Sequence, residues 1–324
     1  MKPVGGRWGC FGGGGSYGDW LCGVLAQILT GSASVKDYFD HVVGTSTGGL
    51  GSCALAYDGI LKYIQLWMGL TTDKIYLTKD PSGIPFNEIT DMALGQWKGM
   101  LNDAPLKEVI DKMVVGLPII PATVCFCDME SGATFYATAF PDGTFRLEST
   151  MAQDYTYPAS WFEQFKGCVL ATASTEGGVD PVEINLAGGV VTGTTIPTPN
   201  VILQGMDGGP GALEPVDYVL DKMNGQGELI CVTLQTSLKQ YVGPRNLLGT
   251  IQRSVDILLQ SQHSANMDRL VDCSKFTPML NVVIFNRPEL NIPLENSETF
   301  VPAVIQTYMA DGKIAKPTFG MLLP

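Results

Sequence analysis

Residues 39–51 read FDHVVGTSTGGLG, and this stretch decides the fold. Its apolar opening predicts a short buried strand, and the small and then apolar side chains at 47–68 predict one helix or two. Ser46 stands in the sharp turn between strand and helix. Gly44 and Gly48, two residues to either side, remove side chains that would clash there. The pattern predicts a serine hydroxyl beside a helix N-terminus that favours negative charge, which suits a nucleophile. The plainer alternative is a serine that caps a helix after a glycine turn.

A glycine-rich stretch lies upstream, where residues 12–18 read GGGGSYG. Successive glycines let backbone N–H groups converge on an anion, either a phosphate or the oxyanion of a reacting ester. A P-loop would need a lysine after Gly18, and none is present. A dinucleotide site would use an acidic residue about 20 positions further on. Asp37 and Asp40 lie there, but the serine turn that follows them immediately fits that fold poorly. A flexible tail is the remaining alternative.

The third motif lies far downstream, where the apolar run NVILQGM at 200–206 ends in Asp207-Gly208-Gly209. The run predicts a strand, and a helix and the strand ELICVTLQ follow it. Asp207 would then lie at the carboxyl end of a strand, at the same sheet edge as Ser46. The alternative is an ordinary Asp-Gly turn.

The chain has only two histidines, His41 and His263. A Ser-His-Asp triad needs one of them. His41 lies within the strand before Ser46, and we expect it to pack against the sheet. His263 lies in the long amphipathic pattern at 246–272 and follows Ser46 and Asp207 in the chain order of an α/β-hydrolase, so a triad through His263 stays open as an alternative.

Strand and helix patterns alternate along the rest of the chain, which predicts α/β layering. Residues 70–102 and 140–165 fit this alternation least well, and we interpret both as insertions or lid segments rather than sheet elements. Two apolar clusters could line an entrance to the site: Trp67, Met68 and Leu70, and Trp161, Phe162 and Phe165. We favour a core position for both, because aromatic stripes usually pack inside.

Composition excludes several classes of protein. The chain has 324 residues and a formal net charge of −12, with 32 acidic and 20 basic residues. No basic cluster is present for nucleic acid, and attraction to anionic lipid is disfavoured. The eight cysteines are scattered in apolar runs, which predicts reduced core residues. No signal peptide or membrane-spanning run is visible, so we expect a cytoplasmic protein that touches membranes transiently at most.

The glycine loop, the serine turn and the later Asp-Gly-Gly, in that order, resemble the patatin-like phospholipase family. The helix and strand pair at 104–138, the segment CVLATASTEGGVDPVEI at 168–184 and the late region VVIFNRPELNIPLENSETF at 282–300 resemble the family as well. The resemblance covers most of residues 9–312. It implies an α/β fold, a three-layer sandwich with a mainly parallel central sheet flanked by helices, and a single domain over residues 1–324.

The resemblance also implies a catalytic site without histidine. Ser46 would be the nucleophile and Asp207 the base that activates it. Backbone N–H groups of Gly13, Gly14 and Gly15 would form the oxyanion hole. The implied substrate is the acyl ester of a glycerophospholipid or related membrane lipid, cleaved by a phospholipase A type of hydrolysis. No metal and no cofactor are implied, and the need for an activator and the oligomeric state stay open.

Two positions depart from the family pattern. Gly12 stands where the family usually has an acidic residue, and Tyr17 stands where it often has Arg or Lys. A rival alignment pairs Ala187-Gly188-Gly189 with the family's Asp-Gly-Gly and would make the chain a pseudoenzyme. We prefer Asp207, because a predicted strand precedes it and a predicted helix follows it. A catalytically inactive lipid-binding or scaffold protein, and acyl transfer to an alcohol in place of water, are the other functions that the sequence leaves open.

Overall fold

The computed structural model describes residues 3–32, 34–69, 77–78, 101–151, 153–174, 180–234, 247–287 and 309–318. The strands are β1 (Arg7–Phe11), β2 (His41–Thr45), β3 (Leu77–Thr78), β4 (Leu101–Asn102), β5 (Ala122–Asp128), β6 (Thr134–Ala139), β7 (Phe145–Ser149), β8 (Tyr155–Tyr157), β9 (Val182–Asn185), β10 (Val190–Val191), β11 (Ile202–Asp207), β12 (Gly227–Thr233) and β13 (Leu280–Asn286). The α-helices are α1 (Gly18–Ile28), α2 (Val35–Tyr38), α3 (Thr47–Gly69), α4 (Ala104–Met113), α5 (Phe162–Thr172), α6 (Gly209–Ala212), α7 (Val216–Met223) and α8 (Leu247–Phe276).

A mixed sheet of 11 strands forms the centre of the molecule. Its main path runs β10-β8-β7-β6-β5-β2-β1-β12-β13. The five strands from β5 to β13 are parallel, and β6, β7, β8 and β10 extend the sheet in antiparallel fashion. The short pair β3-β4 is separate from this sheet.

Helices cover both faces of the sheet. Successive residues of a strand point to opposite faces, so neighbouring residues belong to different cores. Val42 and Val124 belong to a core shared with α1, α3 and α5. Their neighbours Val43 and Cys125 belong to a second core shared with α7 and α8. The α/β sandwich with a central sheet between helix layers is therefore confirmed.

The predicted strands and helices around the three motifs are confirmed to within a few residues. α3 kinks at Gly59, where φ is +76°, so the prediction of one helix or two is met by a helix of two parts. Six of the eight cysteines are buried and all eight are free. Most of the segment 70–102 lies outside the described residues.

In the part of the chain that the structure describes, no helix has the length and apolar character of a membrane span.

The prediction that residues 140–165 lie outside the sheet is wrong. β7 and β8 fall within this segment and pair with the sheet, and α5 begins there. Phe145 and Leu147 are buried while Arg146 between them is exposed, so the first three residues of β7 alternate with period two, although Glu148 after them is buried as well. The flanking Gly and Pro residues hid this short pattern, because they are typical of turns.

Candidate active site

Ser46 has a backbone conformation that an L-residue rarely adopts. It stands alone between β2 and α3 with φ at +55°, in the left-handed region. The flanking glycines permit this turn. A Cβ atom added at Gly44 would lie 2.2 Å from the carbonyl oxygen of Gly48, and one added at Gly48 would lie 2.2 Å from that of Phe11. The sequence pattern thus marks a real strand–turn–helix corner.

Asp207 reaches this corner by an unexpected route. It ends a strand, as predicted, but β11 runs antiparallel to β5, with Asp207 opposite Phe126. On the same edge of β5, the parallel strand β2 ends with Thr45 opposite Cys125. β2 and β11 therefore run head to head along one line of the sheet. Their carboxyl ends meet, and this places Ser46 beside Asp207.

The Ser46 side chain lies close enough to the Asp207 carboxyl group to lower its pKa. Asp207 is only 5% exposed, and its Oδ1 accepts the N–H of Gly209 at 2.8 Å. Burial raises the pKa of Asp207 to about 6, against the lowering effects of the Ser46 side chain and the Gly209 N–H. This carboxyl is therefore ionised at neutral pH, with Ser46 beside it.

Residues at and just after the end of α5 hold the backbone of Ser46 and Asp207. The Ser46 N–H donates to Thr172 Oγ1 at 2.8 Å, and the Thr172 hydroxyl in turn donates to the carbonyl of Cys125 in β5. Two residues later, the carbonyl of Ser174 accepts the N–H of Asp207 at 2.9 Å. No sequence motif marks these two residues, because their role depends on where α5 packs.

The glycine loop passes directly over Ser46. A Cβ atom at Gly13 would lie 3.1 Å from the Cβ of Ser46, and one at Gly14 would lie 2.3 Å from that of Leu234. The N–H of Gly13 donates to the carbonyl of Leu213 at 2.9 Å. Within the described chain, no hydrogen-bond acceptor is recorded for the N–H groups of Gly14 and Gly15. Of the three predicted oxyanion donors, Gly13 is thus engaged elsewhere.

The two threonines beside Ser46 hold the loops that surround it. Thr45 Oγ1 donates to the carbonyl of Ala212 at 2.7 Å, and Thr47 Oγ1 donates to that of Gly15 at 2.5 Å. Sequence reasoning missed both, although a β-branched hydroxyl on each side of the serine was the available signal.

The two histidines are bound away from Ser46 and Asp207. His41 packs in the sheet, where its Nε2 lies 2.7 Å from Thr123 Oγ1 and its ring stacks on Trp8. Burial lowers the pKa of His41 to about 3. His263 Nδ1 lies 2.9 Å from Glu214 Oε1. In the described part of the chain, each histidine is therefore paired with a residue other than Ser46 or Asp207, which gives no support to a triad through His263.

The remaining predicted positions are Ala187, from the rival alignment, and the two apolar clusters. Ala187 lies between β9 and β10, and its N–H donates to the side-chain Oδ1 of Asn185, two residues earlier. Trp67, Trp161 and Phe165 are buried, which confirms the core position favoured for them. The side chains of Met68 and Leu70 lie outside the described residues. No three His, Cys, Asp or Glu side chains of the described chain are grouped as metal ligands.

The two departures from the family pattern have partners from elsewhere in the chain. A Cβ atom at Gly12 would lie 3.0 Å from the Cγ of Glu214, so the Glu214 carboxyl group lies where a side chain at position 12 would stand. The guanidinium carbon of Arg287, at the end of β13, lies 3.3 Å from the ring centre of Tyr17. A carboxyl group and a cation are therefore both present beside the loop, although the loop itself carries neither at these positions.

Comparison with known families decides the identity of this fold. The family model described as Patatin-like phospholipase matches residues 9–195, more than half of the chain. The chain belongs to the patatin-like phospholipase family. The match contains the glycine loop and Ser46 of this patatin-like chain and ends before Asp207. It assigns the chain to a family of lipid acyl hydrolases with lipid substrates. No curated protein matches the sequence.

Proposed function

We propose that this patatin-like protein is a phospholipase A type hydrolase, which cleaves fatty-acyl esters of glycerophospholipids through a Ser46–Asp207 dyad. The observation that carries the proposal is the meeting of the carboxyl ends of β2 and β11, which places Ser46 beside the buried Asp207 carboxyl group. A serine becomes a useful nucleophile when an adjacent base can take its proton.

In the first half of the reaction, Ser46 Oγ attacks the ester carbonyl while Asp207 accepts the hydroxyl proton. The carbonyl oxygen becomes an oxyanion, which accepts hydrogen bonds from the N–H groups of Gly14 and Gly15 and faces the N-terminus of α3. The ester C–O bond then breaks. Asp207 returns the proton to the leaving oxygen, and a lysophospholipid departs from an acyl-enzyme.

In the second half, water attacks the acyl-enzyme and gives its proton to Asp207. The tetrahedral intermediate expels Ser46 Oγ, which regains the proton, and a free fatty acid leaves. Gly13 has a supporting role here, because its N–H is bonded to Leu213 and holds the loop rather than the oxyanion. An alcohol in place of water would give acyl transfer by the same steps.

A fluorophosphonate probe tests the proposal, because it reacts with activated serines. We expect one adduct on Ser46 in intact mass and peptide mapping, and none in Ser46→Ala. Asp207→Asn keeps the shape and the acceptor for Gly209 but removes the base, so we expect both labelling and phosphatidylcholine hydrolysis to fall by about 100-fold or more. Asp142→Asn, in an exposed turn, is the matched control and should behave as the wild type.

The experiment also separates the competing functions. Labelling that persists in Ser46→Ala, or hydrolysis that survives Asp207→Asn at the wild-type rate, would refute the dyad. A folded wild type that neither labels nor cleaves phospholipid would favour the inactive lipid-binding or scaffold protein.

A further inference from the structure

One short segment, residues 210–214, joins the three parts of the site. It follows Asp207 in the chain, lies against the glycine loop, and contacts the turn at Ser46. Four of its carbonyl groups accept hydrogen bonds from outside the segment: Pro210 from Gln262 Nε2 at 2.5 Å, Ala212 from Thr45 Oγ1 at 2.7 Å, Leu213 from the N–H of Gly13 at 2.9 Å, and Glu214 from Asn266 Nδ2 at 3.2 Å. The segment is therefore held between α8 and the site.

Glu214 is the buried anchor of this segment. Its side chain is 0% exposed. Its carboxyl oxygens lie 2.9 Å from His263 Nδ1 and 3.0 Å from Asn266 Nδ2, both on α8. A buried carboxyl group is costly unless it is hydrogen-bonded, and here two side chains from one helix meet that need. The hydrolysis proposed above does not use this group.

The same carboxyl group also packs on the first glycine of the loop. A Cβ atom at Gly12 would lie 3.0 Å from Glu214 Cγ and 3.4 Å from its Oε1. Beside this contact, the N–H of Gly12 donates to the carbonyl of Val232 at 2.9 Å and that of Gly13 to Leu213. The loop is thus fixed on its first two residues, immediately before the two whose N–H groups are the proposed oxyanion donors.

We propose that Glu214 is a positioning residue: held by His263 and Asn266, it fixes the glycine loop through Gly12 and the Leu213–Gly13 hydrogen bond, so that the oxyanion donors face Ser46. The inference rests on the proposed function. It gives His263 a role that differs from that of a triad histidine. The imidazole orients a carboxyl group beside the loop and takes no proton from Ser46.

The physical reason is the sensitivity of oxyanion stabilisation to distance. A misplacement of about 1 Å can cost about 100-fold in rate. Without the carboxyl group, the donors on α8 lose their acceptor and a space opens beside Gly12, so the loop can shift. Binding of the lipid itself does not depend on this contact, and the loss should fall on kcat rather than on KM.

The experiment compares Glu214→Ala with Glu183→Ala, a control in which an exposed carboxyl group on β9 is removed. Hydrolysis of a short-chain phosphatidylcholine below its micellar concentration gives kcat and KM, and urea unfolding reports stability. We expect kcat of Glu214→Ala to fall by about tenfold or more, with KM within about threefold of wild type. Asn266→Ala, which removes one of the two anchors, should lower kcat by a smaller factor.

A second variant, in which position 12 supplies the carboxyl group in place of position 214, distinguishes positioning of the loop from a general contribution to stability. In Gly12→Asp/Glu214→Ala, the new side chain starts from the position that faces the missing Glu214 group. We expect kcat of this double variant to be at least about threefold that of Glu214→Ala. Gly12→Asp alone should have a lower kcat than wild type, because its new side chain crowds Glu214.

The outcomes are decisive in each direction. A Glu214→Ala kcat equal to that of Glu183→Ala overturns the inference, and so does a double variant as slow as Glu214→Ala. If Glu214→Ala does not fold, Asn266→Ala decides, and a wild-type kcat in that variant overturns the inference. Failure of the proposed function is distinguishable, because there the wild type itself shows no Ser46 adduct or Ser46→Ala retains activity.

Discussion

At the scale of single residues, the site depends on two residues in unfavourable states, one through its backbone and one through its side chain. Ser46 adopts a left-handed backbone at φ +55°, and the Asp207 carboxyl group is buried at 5% exposure. Conformational strain of this kind typically costs about 1–3 kcal/mol and persists only where the surroundings impose it. Here the surroundings are the hydrogen bond from the Ser46 N–H to Thr172 and the close approach of Gly44 and Gly48.

The raised pKa of Asp207 predicts the pH dependence of the reaction. As the proposed base, Asp207 works only when it is ionised, and burial raises its pKa to about 6. We expect kcat/KM to fall as the pH drops through about 6 and to level off above it, since kcat/KM reports the free enzyme. A soluble ester substrate, assayed between pH 4.5 and 8, gives the profile. A midpoint near the ordinary aspartate value of 3.8, with the fold intact, would contradict the assignment.

At the scale of elements, α5 and β11 show what a sequence can and cannot predict. The serine turn, the glycine loop and the strand before Asp207 were predictable, because glycine spacing and apolar runs are local signals. The direction of β11 was not, since it follows from pairing with β5. The support from α5 was equally hidden: Thr172 lies 126 positions from the Ser46 N–H that it accepts.

Thr172 tests the contribution of α5. In Thr172→Val, the part-buried Ser46 N–H and the buried Cys125 carbonyl both lose the Thr172 hydroxyl group, and an unsatisfied buried group costs about 1–3 kcal/mol. We expect a lower free energy of unfolding in urea and a kcat reduced by about tenfold, because the serine turn is free to relax. Thr172→Ser keeps the hydroxyl and is the matched control, which should retain most of the activity. Equal kcat values for the Val and Ser variants would show that the hydroxyl does not position Ser46.

At the scale of the whole molecule, the fold buries ionisable groups outside the proposed dyad. Asp19, near the start of α1, is fully buried, and burial raises its pKa to about 8 although Arg287 lies near enough to lower it. Its Oδ1 accepts the N–H of Trp20 at 2.6 Å, while no partner for Oδ2 is found within the described residues. The sequence DWLCGVLAQIL predicts a helix here, but the burial of its first residue, Asp19, depends on the packing of distant segments.

Asp19 therefore predicts how the stability of the whole protein depends on pH. In the unfolded chain this carboxyl loses its proton near pH 3.8, whereas in the folded state it holds the proton up to about pH 8. Between these values the folded state binds more protons, so its stability falls as the pH rises, by at most about 1.4 kcal/mol per pH unit from this group. Asp19→Asn keeps an acceptor for Trp20 and cannot ionise. Urea unfolding at pH 5, 6.5 and 8 should therefore show a flatter decline for Asp19→Asn than for wild type, while Asp142→Asn, in its exposed turn, leaves the slope unchanged. Parallel declines in wild type and Asp19→Asn would mean that Asp19 stays ionised in the folded protein, with Arg287 as its counter-ion.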